Sequence, residues 1–162
     1  MAVTPAVILL QRSGVAHQLM SYDHDPTSDA FGIEAAEALG LDPSVVYKTL
    51  VVSADGGPSG RSHAVAVVAV DARLELKAVA AAAGAKKAAM ADRAEAERLT
   101  GYIRGGISPL AQKRRLATFV DSSAEDLTTM YVSGGRRGLD IGLAPADLLA
   151  LTNGRFAPIA RR

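Results

Sequence analysis

The sequence predicts a mixed α+β fold in one domain, and three observations carry that prediction. Capped helical segments and β-rich runs follow one another with no internal repeat and no linker between them. One run, His63 to Val70, is apolar on both faces, which places it in an interior strand covered on two sides. The chain's 162 residues, 49% of them hydrophobic, can bury enough apolar surface to offset the entropy of ordering but leave little room for a second core. Residues 1–162 are therefore read as one domain.

The elements follow in order. Thr4 and Pro5 form an N-cap and a first helical position, and Gly14 stops the helix that carries Val7 to Leu10. Val15 to Tyr22 alternates loosely in polarity and ends before Asp25-Pro26, so it reads as a strand running into a polar loop. Phe31, Ala35, Ala38 and Leu39 share one face of a second helix, with Glu34 and Glu37 off it and Gly40 as the stop. Val45 to Ser53 and His63 to Val70 are strands joined by the polar segment 54–62, an extended hairpin loop. Asp71 is expected to cap an alanine-rich helix over Leu74 to Ala83, which Gly84 punctuates. Lys86 to Met90 reads as a short strand, and Asp92 starts a charged helix ending near Gly101. Leu116 to Asp121, Thr129 to Ser133 and Leu139 to Leu143 are further strands, the last two joined through 134–138. A final helix over Pro145 to Leu151 stops at Asn153-Gly154, and a short apolar tail follows.

Composition narrows the function. Eighteen Lys and Arg against seventeen Asp and Glu leave a net charge of +1, which creates no global field able to capture a polyanion, so any nucleic-acid contact has to be local. The absence of Cys removes disulfides, thiolate metal sites and an enzyme-borne thiol nucleophile together, and it fits a reducing compartment. The apolar stretch Val7 to Leu10 is too short to span a bilayer and lacks the basic flank of a signal peptide. A soluble cytoplasmic protein with no membrane partner is expected.

Lys48 is the most informative single residue. Period-two reading places it on the strand face of Val46, Leu50 and Val52, so an ammonium is aimed at an apolar side. It must snorkel to a rim, find an anion, or await an anionic ligand; the plain alternative is an edge-strand lysine that deters aggregation. Gly105-Gly106-Ile107-Ser108-Pro109 exposes backbone N–H groups to which a carbonyl or phosphate can come close, although a connecting turn explains the same residues. Ser108 is a poor nucleophile, because no His lies near it and only His17, His24 and His63 exist to serve as its base. Gly134-Gly135-Arg136-Arg137-Gly138 joins flexible backbone to two guanidinium groups suited to phosphate, with a solvated hairpin turn as the plain alternative, and Lys113-Arg114-Arg115 adds a second basic run that with Arg136 and Arg137 could form a local track for an RNA backbone or simply a solvated charged face. Tyr22, Tyr47 and Tyr102 could each stack on a base, yet aromatics at 4% form no stacking platform. Tyr22-Asp23-His24-Asp25 is a weak metal motif, since neighbouring residues of an extended segment point to opposite faces. Asp140, between Leu139 and Ile141, is either a solvated strand residue or the one acid lining a cleft.

Together and in this order, Tyr22-Asp23-His24-Asp25-Pro26, Phe31-Gly32 before Glu34-Ala35-Ala36, Tyr47-Lys48-Thr49-Leu50, Gly101-Tyr102, Gly105-Gly106-Ile107-Ser108-Pro109 and Tyr131-Val132-Ser133-Gly134-Gly135 resemble the YbaK family over nearly the whole chain. These are bacterial Cys-tRNA(Pro) deacylases, relatives of the editing domain inserted in bacterial prolyl-tRNA synthetases. The resemblance implies a compact α+β fold on a mixed, barrel-like sheet flanked by helices. It further implies removal of cysteine from mischarged proline tRNA without metal or organic cofactor. The acceptor end of tRNA(Pro) is then the ligand, prolyl-tRNA synthetase a candidate partner, and DNA none. Lys48 matches the family's essential lysine, and Gly105, Gly106 and Ser108 match its glycine-rich active-site loop. Tyr22, Phe31 and Thr49 match pocket positions, and Ser133, Gly134 and Asp140 a second segment of the cleft.

The family's mechanism is described as substrate-assisted: the thiol of the bound cysteine attacks its own ester carbonyl, leaving a cyclic thiolactone and free tRNA. A chain without Cys or a compelling Ser-His pair need then supply only positioning and stabilisation of the oxyanion, with backbone amides near Gly105 and Gly106 receiving the charge. The sequence departs from the common pattern at Ala111, where Gly is frequent, at Tyr47 for Phe, and at Arg136 for Lys. Two other readings stay open: a deacylase for alanyl or other small esters that uses water, and a module that binds tRNA or a synthetase without turnover.

Overall fold

The computed structural model describes residues 3–58 and 60–162. Five α-helices and ten strands among these residues run in the order α1 (Pro5–Ser13), β1 (His17–Ser21), α2 (Phe31–Leu39), β2 (Tyr47–Gly57), β3 (Gly60–Ala69), β4 (Arg73–Leu74), α3 (Leu76–Ala82), β5 (Lys87–Met90), α4 (Arg93–Thr100), β6 (Ala117–Asp121), β7 (Met130–Arg136), β8 (Leu139–Leu143), α5 (Pro145–Thr152), β9 (Arg155–Ala157) and β10 (Ala160–Arg161). Thr4 caps α1 by accepting the Val7 N–H, and Asp92 caps α4 by accepting the Glu95 N–H, which satisfies a donor that each helix start leaves open. Gly14, Gly40 and Gly101 end their helices in the left-handed region, and Asn153 does the same after α5.

A five-stranded sheet has the order β5-β2-β3-β6-β9, antiparallel on the β5-β2-β3 side and parallel from β3 through β6 to β9. A three-stranded antiparallel sheet, β1-β8-β7, packs against it, and β10 pairs with β4. The sequence expectation for β3 holds: Val65, Ala66, Val67 and Val68 are each 0% exposed. Val65 and Val67 pack with Leu10, Met130, Val132, Ile141 and Leu148, which joins the two larger sheets to α1 and α5. Ala66 and Val68 face Val52, Val79, Phe119 and Ile159 on the other side, beneath α3. Each fully buried valine contributes roughly 1.5–3 kcal/mol of transfer free energy.

The expected barrel-like sheet is not present. A barrel needs hydrogen-bonded pairing all the way round. Among the described residues the larger sheet ends at β5 and β9, the smaller at β1 and β7, and one isolated bridge, Val46 to Tyr131, connects them. Segment 54–62 is largely strand rather than loop, because β2 and β3 keep pairing as far as Gly57 and Gly60 around a bulge. Asp71 does not cap the alanine-rich helix: that helix starts later, at Leu76, and the Asp71 carboxylate instead accepts from Arg162 at 2.6 Å. On α2 the buried residues are Ala35 and Ala36, and Ala38 is exposed. The apolar tail forms β9 and β10, held by Asp121, whose Oδ1 accepts the N–H groups of Ile159 and Ala160 at 3.0 Å each. Among the described residues no helix is long and apolar enough to cross a membrane.

Candidate active site

The cavity follows from an incomplete strand pairing. β5 covers β2 only from Val52 to Asp55, with the Ala91 N–H adding the Val51 carbonyl, while Tyr131 bridges Val46 at the other end. Among the described residues, the stretch between has β3 on one side and no strand on the other. Along that free edge lies a cavity of about 510 Å³, walled by α2, by the start of α4, by Arg104, Gly105 and Ile107 and by the facing strands β7 and β8.

Lys48 lines this cavity half-buried, and its Nζ donates to the Ala72 carbonyl at 3.0 Å. One of three ammonium donors is thus spent within the protein. Burial first, and the nearby Arg73 second, pull its pKa below the usual lysine range, with Asp71 opposing. Its neighbour Thr49 also lines the cavity, and the Thr49 Oγ1 is buried without a protein partner among the described residues. A buried hydroxyl left unpaired is costly, so this one is free for a ligand.

Asp140, on β8, is the acid of the cavity's interior: it is 6% exposed and sits across from Ser133 of β7. Desolvation lifts its carboxyl from 3.8 to about 7. Ser133 shares the cavity, and its Oγ accepts the Gly135 N–H at 3.2 Å, which leaves the hydroxyl proton to donate. Tyr22 closes the same side, its phenol pushed up to about 12 by burial and then by Asp140, so it stays a donor at neutral pH. Phe31, at the start of α2, and Gly105 form the opposite lip. Gly105 has φ +88°, and a Cβ there would lie 2.7 Å from the Phe31 ring, so only glycine fits.

Seven of the ten sequence-selected residues therefore line one cavity: Lys48, Gly105, Tyr22, Phe31, Thr49, Ser133 and Asp140. Gly106, Ser108 and Gly134 do not. The Gly106 N–H is committed to the Ile103 carbonyl at 2.9 Å, and a Cβ on this residue would lie 2.7 Å from the Arg136 Cα, so of the two glycine amides only that of Gly105 has no protein acceptor among the described residues. Ser108 is 0% exposed, its Oγ accepting the Leu110 N–H, and it holds the loop rather than facing the cavity. Gly134 gives its carbonyl to Thr4 and admits the Leu139 side chain where a Cβ would be. Tyr47 bonds Ser123, and Tyr102 bonds the Leu110 carbonyl; at 2% and 4% exposure neither is placed to stack on a base. His24 is taken by Glu34 at 2.7 Å. Arg93, Glu97 and Arg104 also line the cavity and carry no sequence signature; the nearest signal is the position of Arg104 directly before the glycine pair.

The chain is similar in sequence and in fold to known proteins. A provisionally named Cys-tRNA(Pro)/Cys-tRNA(Cys) deacylase, EbsC, of Enterococcus faecalis is 37% identical over 161 residues, covering 98% of this chain and 94% of its own. The crystal structure of hypothetical protein APE2540 superposes with a TM-score of 0.83 at 26% identity, over 98% of this chain and 100% of that one. A structure titled as a provisional trans-editing enzyme for prolyl-tRNA synthetase shares the fold, with a TM-score of 0.79 at 23% identity over 99% and 100% of the two chains. The family model for the aminoacyl-tRNA editing domain matches residues 24–151, which include every cavity residue named above except Tyr22. With the resemblance of its motifs to the YbaK proteins, this match makes the chain a member of the aminoacyl-tRNA editing domain family.

Proposed function

We propose that this protein is a trans-editing deacylase that removes cysteine from mischarged Cys-tRNA(Pro) by substrate-assisted chemistry. The observation that carries the reading is the convergence on one cavity of an amine, Lys48, and a carboxyl, Asp140, from two different sheets, beside a glycine amide with no protein acceptor. The cysteine ester enters with its carbonyl toward the Gly105 N–H. Lys48 holds the negative RNA end with its two remaining donors. Ionised Asp140 gives the cysteine ammonium a partner in a desolvated place, and Thr49 and Ser133 offer hydroxyls to the ester and ribose oxygens.

The thiol sulfur then forms a bond to the ester carbonyl carbon, the bond from that carbon to the ribose oxygen breaks, and the thiol proton ends on the ribose oxygen. The products are a thiolactone and deacylated tRNA. The protein contributes orientation and charge stabilisation, each worth several kcal/mol in a preorganised site. The chain has no Cys and Ser108 is fully buried, which agrees with a nucleophile brought by the substrate. The resemblance to a prolyl-tRNA synthetase trans-editor and the net charge of +1 support recruitment by a synthetase that already holds the tRNA. Single-turnover incubation of Cys-tRNA(Pro) with excess protein tests the reading: released cysteine or thiolactone is expected, and an intact ester refutes it.

A further inference from the structure

The lip of the cavity carries positive charge that the protein leaves unneutralised. Arg104 is exposed and Arg137 partly so, and among the described residues neither guanidinium has a carboxylate within 4.0 Å. Both stand over the Phe31 ring, Arg137 at 4.8 Å and Arg104 at 5.7 Å from its centroid. The face of an aromatic ring attracts cations, so Phe31 props both guanidinium groups in place. Hydrogen bonds hold the Arg137 side chain and the Arg104 backbone as well: Arg137 Nε donates to the Arg104 carbonyl at 2.8 Å, and the Arg104 N–H donates to Glu97 Oε2 at 2.8 Å. Gly105 makes this closeness possible, since a Cβ there would lie 2.9 Å from Arg137 Nε.

The acids at the lip do not cancel the pair. Glu97 feels Arg137, but its carboxylate is engaged by the Arg104 N–H and by Arg93 Nε at 3.2 Å, which hold its pKa below the usual range. Asp29 lines the cavity without pairing to either arginine within 4.0 Å. Among the described residues the Arg104 side chain makes no protein hydrogen bond, and Arg137 keeps its terminal nitrogens. Two like charges held over one ring repel, and an anion placed between them relieves that repulsion.

We infer that Arg104 and Arg137 form a clamp for an RNA phosphodiester, the one next to the terminal nucleotide whose ester enters the cavity. This rests on the reading of the cavity as an aminoacyl-ester site. A polymer that inserts its end must leave across the rim, so its first phosphodiester passes the lip. The planar guanidinium forks match phosphate oxygens in a way that a lysine does not.

The test measures binding without turnover: fluorescence anisotropy of an uncharged RNA hairpin with a single-stranded CCA end, titrated at several salt concentrations. Arg104→Gln and Arg137→Gln should each weaken binding and lower the slope of log affinity against log salt by about 0.7. Arg12→Gln, on the exposed last turn of α1, should leave the slope unchanged. Arg137→Lys keeps the charge without the planar fork, so it should recover the slope with only part of the affinity. Slopes equal to wild type in both glutamine variants, an equal effect of Arg12→Gln, or no binding by the wild-type protein at low salt would each overturn the clamp. Because the RNA carries no amino acid, a failed clamp and a failed deacylase reading give separate results.

Discussion

Replacing Asp140 by Asn separates what this residue does for stability from what it does for function. Its carboxyl is 6% exposed and lifted from 3.8 to about 7. The folded state therefore disfavours the ionised form, and the cost relative to the unfolded chain is absent below pH ~4, grows up to pH ~7 and stays constant above it. Full ionisation costs the fold up to ~4 kcal/mol. Asn resembles the protonated acid in shape and carries no charge, so Asp140→Asn should match wild type in urea denaturation near pH 4 and exceed it by up to ~4 kcal/mol at pH 8. The same carboxylate, if it anchors the substrate ammonium, makes kcat/KM rise about tenfold between pH 6 and pH 8, as the ionised fraction climbs from about a tenth to about nine-tenths. The variant should lose both that rise and most of the activity. A stability difference independent of pH, or an Asn variant less stable at pH 8, would refute the placement of a desolvated acid; an unchanged rate profile would refute its role.

Other consequences follow from single positions. Lys48→Ala should abolish cysteine release while uncharged RNA still binds, whereas Lys48→Met keeps the apolar stem without the desolvated charge and should fold at least as stably by thermal denaturation; a Lys48→Ala protein of normal rate removes the lysine from the chemistry. Gly105→Ala should cost about 1–2 kcal/mol from its left-handed backbone alone, more from the collision with Phe31, and reduce kcat/KM; a fully active, equally stable variant would contradict the tight lip. Ala111 has φ +55°, a conformation that glycine adopts without strain, so Ala111→Gly should raise stability by roughly 0.5–1 kcal/mol in denaturant titration, and a loss would show that the loop gains something from the methyl group.

Most of the fold is legible because its signals are local. Thr4 and Asp92 occupy their caps, Gly14, Gly40, Gly101 and Asn153 end helices, and the two-sided valine run of β3 sits between two cores. The departures share a cause, which is that the deciding partner is distant in sequence. β4 and β10 are two residues each, too short to show a period, and exist because they pair with one another. Asp71 has the form of an N-cap, but Arg162 at the far end of the chain takes its carboxylate. Glu34 lies off the apolar face of α2 and is nevertheless largely buried, because His24 and the Asp25 N–H bind it. At the site, Lys48 satisfies both sequence readings at once: β2 is interior along β3 and an open edge where β5 stops. Neither the spent amide of Gly106 nor the inward packing of Gly134 shows in a glycine-rich motif, because both depend on which neighbour the chain brings to the missing side chain.

The most direct test of the central claim compares cysteinyl and seryl esters on the same tRNA(Pro) under single-turnover conditions, since the two differ by one atom and only the thiol can close the thiolactone. Rapid loss of the cysteinyl ester with recovery of the thiolactone, and survival of the seryl ester, is the predicted result. Equal cleavage of both esters would mean that water or a protein group is the nucleophile, and survival of both would mean that the cavity does not perform this reaction.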